Sequence, residues 1–133
     1  MAVILAVVCA LPLAACDGPA APSATGVCWR SASDDVTHPK FESLAPDVTS
    51  LDDCAAMLEA LHVEGARKVV GAYQGYFIFL DDSSVASSAT LEGFRYPIFQ
   101  PSQRKEIDAD LRALIKARNG HAPTPGEISV QRR

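Results

Sequence analysis

The 133-residue chain contains no CxxC pair, no HExxH and no GxSxG, which removes the common zinc, metalloprotease and serine-hydrolase signatures. Its glycine-rich stretch, Gly71-Ala-Tyr-Gln-Gly75, lacks a following Lys-Ser/Thr. No helix start follows it either, so it cannot cradle phosphate, and its glycines read as a turn or a bulge. Basic residues are scarce over most of the length: from Cys16 to Gln100 there are 5, against 12 acidic ones. Nucleic acid needs a concentrated basic face and is excluded as a partner. From Pro101 onward 7 basic residues meet 4 acidic ones, but the signs alternate along a helix, which is the pattern of a solvated face. No internal repeat is present, and no apolar run reaches the roughly 20 residues that a spanning helix requires.

The longest apolar run is Ala2 to Ala15, AVILAVVCALPLAA, 14 residues. That is the length of a signal-peptide core, about 7–15 residues. Pro12 within it and the Pro/Ala-rich stretch after it argue against a buried helix of the domain. The window that closes the run, Leu13-Ala14-Ala15-Cys16, resembles the lipobox of bacterial lipoproteins. The resemblance implies that residues 1–15 are a signal peptide cut before Cys16, with Ala14 and Ala15 small enough for the peptidase cleft. It implies that the Cys16 thiol takes a diacylglyceryl group and the freed amine an acyl chain such as palmitate. The expected location is the periplasmic side of a bacterial membrane, reached through the N-terminal lipid. Asp17 follows the lipidated cysteine, and in enterobacterial lipoproteins an aspartate there tends to hold the protein in the inner membrane. Each buried methylene contributes roughly 0.8 kcal/mol, and two or more chains make such an anchor stable. Residues 16–25, rich in Pro, Ala and Ser, are expected to form a flexible tether.

The resemblance also sorts the four cysteines. Cys9 leaves with the signal peptide and Cys16 carries lipid, so Cys28 and Cys54 remain with one pairing in an oxidising compartment. Their bond would close a loop of about 26 residues and contribute roughly 3–4 kcal/mol in the chain-entropy model. A metal site drawing on Cys28, Cys54, His38 or His62 is disfavoured, because none of them has the close spacing of a ligand pair.

Along the mature chain, residues 26–31 read as a strand, with Trp29 as a core or cover residue. Residues 33–48, with Pro39 and Pro46, read as an irregular connection. Ser50 caps a helix carrying Leu51, Cys54, Ala55, Leu58 and Leu61 on one face, and Gly65 ends it. Residues 68–80 form a central strand or a hairpin, apolar on both faces. A turn at 81–84, a weak strand at 85–90 and an edge strand at 91–99 follow. Ser102 is expected to cap a second helix reaching Asn119, with Ile107, Leu111, Leu114 and Ile115 as its apolar stripe. Residues 121–133 show no periodicity and are expected to be disordered. The element order predicts one α+β domain over 26–120: a small antiparallel sheet with two helices packed on it and one disulfide.

Three groups of residues could carry chemistry. Tyr73, Gln74 and Tyr76 could form a stacking surface for a glycan or peptide. Asp34, Asp35 and His38, with Ser31 and Ser33 nearby, could serve acid–base work, though a solvated loop is a poor scaffold for it. Asp81 and Asp82 follow a strand end, where turn chemistry is the better explanation. No cofactor or metal is implied. The expected function is a lipid-anchored, non-enzymatic binding or scaffolding domain with an envelope protein partner. A small envelope hydrolase or glycan-binding enzyme using either acidic group is the alternative, and an inhibitor-like module a third.

Overall fold

The computed structural model describes residues 18–118, 124 and 126–128. They form β1 (Cys28–Ser31), β2 (Phe41–Ala45), α1 (Leu51–Val63), β3 (Val69–Tyr73), β4 (Tyr76–Leu80), β5 (Val85–Ser88), β6 (Tyr96–Pro97) and α2 (Pro101–Ala117). All six strands join one antiparallel sheet in the order β2-β1-β3-β4-β5-β6. The protein is thus an α+β domain with two principal helices and a Cys28–Cys54 disulfide, as its element order predicts. Among the described residues no helix is long and apolar enough to cross a membrane.

Local chemistry explains the best-defined elements. Ser50 lies in extended backbone and its hydroxyl accepts the Asp53 amide, while Asp52 and Asp53 occupy the positive end of α1. The helix closes in a Schellman arrangement: Gly65 N–H donates to His62 C=O and Ala66 N–H to Leu61 C=O. Residues 68–80 resolve into a hairpin rather than a single bulged strand. Tyr73 pairs with Tyr76, and Gln74 and Gly75, with φ of 45° and 88°, make the two-residue turn. Gly71 has a packing reason. A β-carbon there would strike the Leu58 side chain and sit 2.7 Å from the Trp29 carbonyl oxygen, so α1 and β1 both approach its backbone.

Five expectations need correction. Residues 33–48 are not wholly irregular, because Phe41–Ala45 pairs with β1 as an edge strand. Its largely exposed Glu42 and Ser43 carry no apolar alternation that could announce a strand. The strand expected over 91–99 shrinks to Tyr96–Pro97, and β1 begins at Cys28 rather than at residue 26. The second helix starts earlier than Ser102: Gln100 is the N-cap, Pro101 is at the first turn, and Gln103 Oε1 accepts the Gln100 amide at 2.8 Å. Residues 18–25, placed in the flexible tether, lie along the sheet as a strap. Ala21 is buried, Gly75 N–H donates to Pro22 C=O at 2.9 Å, and Gly26 N–H donates to Gln74 Oε1 at 2.9 Å. Most of 121–133 lies outside the described residues, but Ile128 is buried in the core.

Both faces of the sheet are covered. On one face Cys28, Val69, Tyr73, Ile78, Leu80 and Val85 pack with α1. The middle of α1 is buried on every side, from Cys54 through Ala60, because α2 packs chiefly on α1 and encloses it against the sheet. The other face holds Val70, Ala72, Phe77 and Phe79, covered by Ala21 and partly by Trp29, Phe41 and Leu91. Among the described residues no helix packs in that cluster.

The registers also give the sheet two distinct ends. One end carries the Gln74-Gly75 turn, the strap contacts and the 89–95 loop. The opposite end carries the 32–40 loop, the 64–68 turn and the 81–84 turn.

Candidate functional site

The Cys28 and Cys54 sulfurs tie β1 to α1 across a Cα–Cα distance of 5.3 Å, both residues being fully buried. Cys16 and Asp17 lie outside the described residues. The three residues of the expected stacking surface separate. Tyr73 is in the core, its hydroxyl donating to Val48 C=O at 2.7 Å. Gln74 is exposed but its side chain holds the strap, and Tyr76 is the one exposed ring of the two tyrosines. Paired across the ladder, Tyr73 and Tyr76 share one face of the sheet, yet only Tyr73, held by Val48, is in the core.

The two acidic groups lie at the same end of the sheet but perform local work. Asp35 accepts from Thr37 N–H at 2.9 Å and Thr37 O–H at 2.6 Å, and its second oxygen meets His38 Nδ1 at 2.9 Å. The Thr37 hydrogen bonds, then His38, hold its pKa down at about 2. A carboxyl so stabilised as its anion is a poor proton donor. Asp81 accepts from Ser83 N–H, Ser83 O–H and Ser84 N–H, and these bonds hold it below its ordinary range. Asp82 turns away, reaching His62 Nε2 at 3.3 Å. His62 Nδ1 lies 2.6 Å from Ala66 C=O, so Nδ1 carries the hydrogen and Nε2 faces the carboxylate.

The structure assembles a polar cluster that the sequence did not announce. Glu59, in the middle of α1, is fully buried. Arg104 of α2 grips it with two bonds, Nε to Oε1 at 2.9 Å and Nη2 to Oε2 at 3.1 Å. Asp108, one turn further along α2, lies beside the same carboxyl and raises its pKa, and its Oδ1 is buried with no hydrogen-bond partner. Burial, followed by Asp108, pushes the Glu59 pKa up to about 8, overcoming the downward pull of Arg104. The neutral acid is thereby favoured in spite of the bidentate guanidinium. A notch of about 280 Å³ opens next to it, lined by His62, Asp82, Arg104, Lys105, Asp108 and Arg112.

A larger trough of about 510 Å³ lies at the same end of the sheet. Leu61, Val69 and Val70 give it an apolar floor, and Arg30, Arg67 and Lys68 a basic rim. Those are three of the five basic residues in the acidic stretch from Cys16 to Gln100, so the trough is the least negative part of that surface. Glu42 already engages Arg30, at 2.6 Å from its Nε, which leaves Arg67 and Lys68 as the other exposed cations of the lining, with Asp34 as its one acidic residue. Among the described residues no three His, Cys, Asp or Glu side chains converge as metal ligands.

The fold and these cavities define a small, disulfide-stapled α+β domain with the trough and the notch at one end of its sheet. Comparison with protein-family models, with curated proteins and with solved structures returns no match.

Proposed function

We propose that this is a lipid-anchored cell-envelope protein, exported and acylated on Cys16, whose folded domain binds or scaffolds an envelope partner without catalysing a reaction. The observation that carries the reading is the Cys28–Cys54 bond sealed in the core. A small domain that relies on a crosslink belongs in an oxidising compartment, and the Leu13-Ala14-Ala15-Cys16 window supplies the route there. The non-enzymatic part is supported by the scattering of the acidic groups, with Asp35 and Asp81 stabilised as anions by their own turns. The hydrolase reading needs Asp34, Asp35 and His38, or Asp81 and Asp82, to converge on one pocket. Asp34 lines the trough and Asp82 the notch, while Asp35 and Asp81 line neither. The partner surface in this reading is the trough end, where Arg67 and Lys68 suit an acidic edge over an apolar contact. Inner-membrane retention through Asp17 completes the proposal.

Intact mass of the protein extracted from membranes tests the anchor. The expected species begins at Cys16, carries acyl mass and keeps Cys28 and Cys54 oxidised, whereas Met1 still attached with no acyl mass refutes the reading. Crosslinking in intact cells tests the partner: a specific adduct should weaken in R67E/K68E, and no adduct above background removes the binding role.

A further inference from the structure

The strap sets how far the domain can stand from its anchor. Ala21 is buried against the sheet, so only five residues of reach separate it from Cys16. At 3.3–3.6 Å per residue they span at most about 18 Å, comparable to the roughly 13 Å radius of gyration of a domain of about 100 residues. A domain held so closely to a bilayer presents a fixed part of its surface to it.

The surface near the strap has the matching chemistry. Four large apolar side chains are exposed among the described residues: Val36, Tyr76, Phe94 and Tyr96. Tyr76 and the 89–95 loop that carries Phe94 lie at the end of the sheet where the strap is pinned, Tyr96 follows at mid-ladder opposite Ser87, and Val36 lies at the trough end. Phe94 is 73% and Tyr96 62% exposed, yet their rings meet edge to face with centroids 4.7 Å apart. Between them Arg95 lays its guanidinium 3.9 Å above the Phe79 ring, in the cluster that also holds Ala21. The loop and the strap are thus fixed to one patch of the sheet.

Resting on the lipid-anchored reading, we infer that the Phe94–Tyr96 loop sits in the headgroup layer of the bilayer that holds the Cys16 lipid. Aromatic rings favour that layer, where an apolar body and a polar tip are both accommodated. Glu92 and Arg95 balance each other within the loop, so the contact does not depend on anionic lipid. The arrangement points the trough and the notch away from the membrane, toward the aqueous space where a partner would arrive.

The test uses the full chain purified with its acyl mass verified and placed in phosphatidylcholine vesicles, with C16S as the unanchored control. Amide exchange over 90–96 should slow by about threefold or more relative to C16S, while the 32–38 and 81–84 loops stay unchanged. The variant F94S/Y96S should still sediment with the vesicles but lose that protection. Spin-labelled headgroups should quench F94W more than the native Trp29. Verified acyl mass and sedimentation without protection at 90–96 overturn the inference and leave the anchor standing. Absent acyl mass sinks both. Protection that appears only when a second protein co-purifies shows a protein on this loop and also overturns it.

Discussion

Raising the pH from 5 to 8 is expected to weaken the folded domain through Glu59. The carboxyl is fully buried and its pKa is lifted to about 8, from an ordinary value of 4.5. A group whose pKa is raised on folding favours the native state below its unfolded pKa, and that contribution drains away as pH climbs through the folded value. Between those limits the native state holds a proton that the unfolded chain has released. Stability then falls by about 1.4 kcal/mol per pH unit, toward a total of about 5 kcal/mol. Such a loss is a large part of the 5–15 kcal/mol that holds a typical domain together. Urea titrations at unit pH intervals measure it directly, since the midpoint moves while the slope stays constant. E59Q should flatten the profile, because its amide can accept from Arg104 and donate to Asp108 at any pH. D108N should reduce the slope by removing the second carboxylate. Wild-type stability that is flat or rises from pH 5 to 8 would refute the reasoning, and would mean that Arg104 keeps Glu59 ionised throughout.

Reduction of Cys28–Cys54 releases a loop with a sequence separation of 26. It should cost about 3–4 kcal/mol and lower Tm by about 15–25 °C, read by thermal melts with and without reductant. Gly71→Ala forces a β-carbon into Leu58 and the Trp29 carbonyl, so the urea midpoint should drop by the equivalent of about 1–3 kcal/mol. Tyr73→Phe leaves the buried Val48 carbonyl without its donor and should cost about 1 kcal/mol in the same assay. In acid, Asp35 and Asp81 act in the opposite sense to Glu59. Their lowered pKa values favour the native state above the ordinary carboxylate range, and that support disappears as pH falls through the folded values. Proton NMR titration of the two carboxyls should place both below the ordinary aspartate range.

Local sequence was sufficient wherever a residue's partners lie within a few positions. Ser50 and Gly65 bracket α1, the Gly75 turn marks the hairpin, and the apolar alternation of Tyr76–Leu80 announces a strand covered on both faces, because capping and side-chain alternation are short-range effects. Cys28 and Cys54 were legible as a pair by counting, and their faces by helical and strand periodicity. What those rules could not supply is the company each surface keeps. Tyr73 and Tyr76 look alike in the chain, yet Val48 draws the first into the core. The Pro/Ala-rich strap looks like free tether until the Phe77–Phe79 face, where no described helix packs, takes up Ala21. Glu59 looks like an ordinary helix surface residue, although its neighbours Leu58 and Ala60 are apolar. Only the packing of α2 over α1 makes it buried, pairs it with Arg104 and Asp108, and moves its proton equilibrium, since desolvation and charge depend on atoms brought close from 45 residues away.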